Sequence, residues 1–225
     1  KRIKQKKIKL IEIHGIPEEV DQRDLEFLKN KFEYSLHASV KDLKINLLPR
    51  FSYNKKCIRK IVQEISIAQT LNVKEVVVHG GAFFKGYVRL SKTIGKNIGL
   101  NHFLDLFIKT FGPIFEVANS KGIKVLIENC YPCYLLGRPY DVKYIKTKLP
   151  FLGFCFDLAH SEIYNQTEEL MKLDIDHIHL TDNNKIKDQH LAIGEGVIDF
   201  DNFFAKLKSQ NYNKNEMLNY LVFYI

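Results

Sequence analysis

Short, β-leaning apolar runs alternate with longer helix-patterned stretches along the whole chain, and that alternation limits the fold more than any other feature. Residues 9–13 (KLIEI) read as a strand, and residues 21–31 as a helix capped by Asp21. Residues 34–37 form the next strand. Residues 54–71 then carry Ile58, Ile61, Val62, Ile65 and Ala68 at helical spacing. Residues 75–79 (EVVVH) are rich in β-branched side chains. A loop with Gly80, Gly81 and Gly86 leads into a helical region ending near Ser120, where Gly122 marks the stop. The pattern continues through strand 123–128, helix 141–148, strand 152–157, helix 167–172, strand 175–180 and helix 201–210 to a closing strand, 221–225.

Such alternation implies a parallel sheet covered by helices. Strands that are apolar throughout, rather than alternating, indicate burial on both faces. Seven strand-like runs are one short of a (β/α)8 TIM barrel. The opening KRIKQKK reads as the tail of a helix, so the barrel is expected to lack its first strand and the end of its last one. With 225 residues, 45% of them hydrophobic, and no Pro/Ser-rich linker, one domain over residues 1–225 is the economical reading.

The strand ends carry the chemistry. Taken in order, the C-terminal ends supply His37, His79, Glu128 and Asp157, and the run 175–180 carries His179 near its end. Parallel strands point the same way, so these side chains converge on one rim. His160 and the triplet Asp188-Gln189-His190 sit in loops expected to reach it. A lone His or Asp at a strand end is most often a cap. Several together are harder to explain that way, because buried carboxylates are costly unless paired or metal-bound. Three carboxylates and five histidines exceed one tetrahedral ion and suit two or three ions with shared ligands. The thiolate-free His/carboxylate set favours zinc, with Mn2+ or Fe2+ as alternatives. Closely spaced divalent ions suit phosphate-ester cleavage.

Net charge is +8, which suits an anionic partner such as nucleic acid, although Lys-rich surfaces are common. Four cysteines without disulfide-framework spacing point to a reduced, cytoplasmic protein. No apolar run approaches a membrane span.

CFDLAHSEIY (155–164), HIHLTDN (177–183) and DQHLAIGEG (188–196), with SLHAS, VVVHGG and LIEN, resemble the endonuclease IV family of the xylose isomerase-like barrels. The resemblance covers residues 10–225. It implies one zinc on His37, His79 and Glu128, a second shared by Glu128, Asp157 and His179, and a third on His160, Asp188 and His190. The family's ninth ligand, a Glu after the last strand, is expected at about Ile225, and Glu216 is a poor substitute. The implied activity is hydrolysis of the phosphodiester 5′ to an abasic site in double-stranded DNA, by a monomer. A metal-bridging hydroxide would attack, with Glu128 orienting or deprotonating it, and the damaged nucleotide would be flipped into the rim.

The departures concern DNA. Val40 stands where the family places a duplex-wedging aromatic, and the loop 14–20 is short. Lys41-Asp42-Leu43-Lys44 and Phe83-Phe84-Lys85 are candidate replacements. The alternatives are a sugar isomerase or epimerase on the same scaffold and a non-catalytic DNA-binding relative. A one-metal isomerase would leave His37, His79, His160, Asp188 and His190 surplus. Among weaker signals, Cys130-Tyr131-Pro132-Cys133 reads as structural, His177 as a hydrogen-bonded core residue, and His14 and His102 as surface or packing residues. Gly194-Glu195-Gly196 reads as a turn that brings backbone close to the rim.

Overall fold

The computed structural model describes residues 10–15, 21–29, 33–38, 55–81, 100–130 and 134–210. Each strand-like run within them becomes a strand: β1 Leu10–His14, β2 Glu33–His37, β3 Glu75–Val78, β4 Lys124–Glu128, β5 Gly153–Asp157 and β6 His177–His179. The helices are α1 Gln22–Leu28, α2 Lys55–Thr70, α3 Leu100–Ser120, α4 Pro139–Lys148, α5 Leu158–Ile163, α6 Thr167–Leu170 and α7 Phe200–Ser209. Proline at the first position of α4 costs no hydrogen bond there, which moves the helix start two residues ahead of the sequence reading. The strand 221–225, Glu216, Val40, Cys133 and the two candidate DNA loops lie outside the described residues.

All neighbouring strands are parallel, and they stand in chain order from β1 to β6. Stepping always in one direction curls a sheet. Laid flat, β1 and β6 would lie about 24 Å apart at five strand spacings. Instead, Glu12 Oε1 on β1 is 3.1 Å from His179 Nε2 on β6. The rings of His37 and His179 are 5.6 Å apart. The sheet is therefore a half-barrel of six strands with an enclosed inner face.

The two faces differ sharply in chemistry. Outward residues such as Leu36, Val76, Val125, Ile127, Phe154 and Phe156 join the main core under the helices. Phe107, Phe111 and Phe115 of α3, one turn apart, are fully buried in that core. At about 1.5–3 kcal/mol for each large apolar side chain, this layer holds the helices to the sheet. Among the described residues, the inner face carries one small apolar patch, Val77, Leu126 and Cys155. Around it lie the buried polar residues Ser35, His37, Glu128, Asp157, His177 and His179. Both faces are buried, as continuous apolar runs such as EVVV and the VLI of KVLIE imply, and the inward positions also carry titratable side chains such as Glu128.

Candidate metal centre

Glu128 ends β4, and its carboxylate is fully enclosed. His37, the last residue of β2, brings Nε2 to 2.9 Å from Glu128 Oε2. His79, just past β3, brings its own Nε2 to 2.5 Å from the same oxygen. From β6, His179 Nδ1 stands 2.9 Å from Oε1. Four strands thus place three imidazoles around one carboxylate.

Asp157 has two structural roles. It closes β5 and caps α5, where its Oδ1 accepts a hydrogen bond from the His160 backbone N–H at 2.7 Å. His160 therefore lies in the first turn of a helix, not in the loop read from the sequence. A side-chain acceptor at the cap position satisfies a helical donor, so one residue both starts the helix and orients the next candidate ligand. Asp157 Oδ2 lies 3.7 Å from His160 Nδ1 and 4.0 Å from His179 Nδ1.

Asn129 fixes this corner. Its side chain accepts from Asp157 N at 2.7 Å and donates to Asp157 O at 2.9 Å. Its own carbonyl accepts from His160 Nδ1 at 2.9 Å. A carbonyl can only accept, so Nδ1 carries a proton and Nε2 is the nitrogen turned toward a ligand, which would replace any proton there. That Nε2 faces Asp188 Oδ2 at 3.6 Å, and Asp188 Oδ2 is 2.9 Å from His190 Nε2. All eight residues singled out in the sequence therefore form one connected set.

Asp188 and His190 belong to a segment without strand or helix, which a buried carboxylate holds in place. Asp182 accepts backbone hydrogen bonds from Asn183, Gly194, Gly196 and Ile198 at 2.8–3.2 Å. A Cβ on Gly196 would stand 2.3 Å from Asp182 Oδ1 and 2.4 Å from Asn183 O, so glycine is required there. The Gly-Glu-Gly turn is thus the seat of the loop. His190 itself adopts φ +50°, a sparsely populated backbone region for a non-glycine residue.

The chain matches the family described as xylose isomerase-like TIM barrel over residues 4–219. It belongs to that family. Among curated relatives, an uncharacterised protein of Methanocaldococcus jannaschii is 29% identical over 80% of this chain and 67% of its own length. A probable endonuclease 4 of Sulfurihydrogenibium sp. is 26% identical over 88% of this chain and 76% of its own length. Among solved structures, a D-tagatose 3-epimerase-like protein is similar at TM-score 0.72 and 27% identity, over 91% of this chain and 79% of that one.

In this xylose isomerase-like barrel the rim charges hold one another in place. Burial raises the Glu128 pKa, but His79, His179 and His37 outweigh it and hold the carboxyl well below its ordinary range. Burial depresses His37 despite that carboxylate. For His160, burial is overcome by Asp157, Asp188 and Glu128, which raise it to about 10. The hydrogen bond that His190 donates to Asp188 raises the His190 pKa. Buried carboxylates attended by imidazole nitrogens demand positive charge, and a divalent cation supplies it with the same donors. The geometry fits one: His37, Glu128 and His179 each offer a ligand atom within 4.8 Å of the others, and so do Glu128, Asp157 and His160.

Sequence reasoning missed several neighbours. Glu12, inside the KLIEI strand, faces inward to His179, and a lone carboxylate in an apolar run was the available signal. Asn129 directly follows Glu128, and nothing in the sequence alone marks it as a clamp. His14 meets the expectation of a surface or packing residue only in part. It is exposed, yet it stacks on His37 at 4.1 Å, and burial together with the His37 ring lowers its pKa to about 4. His177 is a buried core histidine, as expected, 3.3 Å from Glu75 Oε2. Cys130 is buried, and burial pushes its thiol well up, which agrees with a structural role. His102 is exposed against Phe103. No described helix is long and apolar enough to cross a membrane.

Proposed function

We propose that this barrel is a metal-dependent phosphodiesterase that cuts double-stranded DNA 5′ to abasic sites, in the manner of endonuclease IV. One observation carries the reading: Asp188 and His190 meet His160 beside the Glu128 cluster. A barrel that isomerises a sugar around a single ion has no use for that extension, whereas a centre of up to three zinc ions does. His37, His79 and Glu128 would hold one ion, Glu128, Asp157 and His179 a second, and His160, Asp188 and His190 a third. Bound zinc supplies Lewis acidity and a water that ionises near neutral pH.

The chain's own groups do the rest. Glu128, kept ionised among its imidazoles, is the acceptor for a proton from an attacking water. Asn129 holds the His160 Nδ1 proton, so Nε2 is the nitrogen presented to an ion. The exposed Lys187, next to Asp188, is placed to meet backbone phosphates, in keeping with the net charge of +8. The 26% identity to a probable endonuclease 4 supports the same reading. A nicking assay on a duplex with one abasic site tests it: the expected product is a single break 5′ to the lesion. No cleavage by fully metallated protein defeats it.

A second reading, a ketose epimerase, draws on the D-tagatose 3-epimerase-like neighbour. It requires mainly Glu128, Asp157 and His179. Elemental analysis separates the two, because close to three rim ions per chain favour the nuclease and a single ion the epimerase.

A further inference from the structure

Below the rim lies a second group of donors that the proposed reaction does not use. Cys155 and His177 are register partners on β5 and β6, and both are fully buried. One ligand atom each from Cys155, His177 and His179 lies within 4.8 Å of the others. Glu12 reaches them from β1, with Oε1 3.1 Å from His179 Nε2 and Oε2 3.6 Å from His177 Nε2. Bonds of about 2.0–2.3 Å to a tetrahedral zinc set neighbouring ligand atoms about 3.3–3.8 Å apart. The inner face therefore holds its donors at nearly the spacing such an ion imposes.

The surroundings orient these donors as a metal site requires. His177 Nδ1 is 3.3 Å from Glu75 Oε2, and a proton on that nitrogen leaves the Nε2 lone pair facing Glu12. Ser35 Oγ donates to Glu12 Oε2 at 2.9 Å, which fixes the carboxylate. His179 looks both ways, with Nδ1 toward Glu128 and Nε2 toward Glu12.

We propose that Cys155, His177 and Glu12 form a separate interior site for a thiophilic divalent cation such as zinc, with His179 as the imidazole shared with the rim. The ion displaces the Cys155 thiol proton to form a metal–sulfur bond, His179 gives up its ring proton when it bridges to the rim as an imidazolate, and both protons leave to solvent. Soft thiolate and borderline imidazole ligands select zinc or cobalt over magnesium or calcium.

The test is cobalt substitution of the chelated, intact protein. The rim set contains no thiolate, so a thiolate-to-cobalt charge-transfer band in the near ultraviolet reports the interior site alone. The expected result is a band in the wild type that vanishes in Cys155→Ser with loss of one metal equivalent, and that persists in Cys130→Ser. His177→Gln, as a second variant, weakens cobalt retention by about 10-fold or more. Wild-type protein that takes up rim cobalt without a thiolate band overturns the proposal, as does a band that follows Cys130. Failure of the rim reading is distinct, since it shows as missing metal in protein that still carries the band.

Discussion

The two ends of β4 show how differently the two rims of the half-barrel are built. At the start of the strand, Lys124 Nζ lies 2.5 Å from Asp176 Oδ1. Lys146 approaches Asp176 Oδ2 at 3.9 Å, and that oxygen also accepts from Phe154 N at 2.9 Å. Acid and base answer each other there, and that rim is complete by itself. Four residues on, Glu128 meets only imidazoles, and further carboxylates and imidazoles follow around the ring. Among the described residues no lysine or arginine pairs with Glu128, and the ring of carboxylates and imidazoles suits a divalent guest. The difference is the one expected between the stabilising and the chemical ends of a parallel barrel.

Substitutions at the two rims should therefore separate activity from stability. Glu128→Gln is expected to have the largest effect, a fall of about 10²–10⁴-fold in nicking rate. Urea unfolding of the chelated variant should show no comparable loss of stability. Asp188→Asn should cost less, about 10–100-fold, with loss of the ion at His160 alone by elemental analysis. Equal losses in the two variants would remove the central role given to Glu128.

At the opposite rim, a Cβ on Gly153 would stand 2.2 Å from Leu126 Cδ2 and 2.9 Å from Lys124 Cε. Gly153→Ala should destabilise by about 1–3 kcal/mol in a urea titration, with the activity of folded molecules unchanged. An activity loss beyond the unfolded fraction would blur the division between rims. The smallest effect is electrostatic. Burial raises the Asp176 pKa, but the Lys124 hydrogen bond and the Phe154 N–H outweigh it, so the carboxyl lies below its ordinary 3.8. That contribution to stability is fully present above pH 3.8 and is lost as pH falls through the depressed value. Asp176→Asn should flatten the acid limb of a stability-against-pH curve by under about 1 kcal/mol. A variant as acid-sensitive as the wild type would assign the limb elsewhere.

The strands and the candidate ligands at their ends were legible because both are local signals. EVVVH and CFD show a β-leaning run and its terminal donor within a few letters, and the parallel arrangement then brings those donors together. What escaped depended on facing direction. Glu12 lies within an apolar run, and only the curl of the sheet brings it against His179. The helix at Leu158–Ile163 was hidden because its cap, Asp157, also ends a strand with no intervening loop. The hold of Asp182 on Gly194 and Gly196 spans more than ten residues, and no short motif announces it.

Because the strands stand in chain order, each contributes its donor separately: His37 from β2, Glu128 from β4, Asp157 from β5 and His179 from β6. Each donor side chain is carried by its own strand. The centre is consequently divisible. On the proposed reading, a single codon change outside Glu128 would delete one ion's ligand and leave the other candidate ligands in place, so one scaffold could pass between many-ion and one-ion chemistry by small steps.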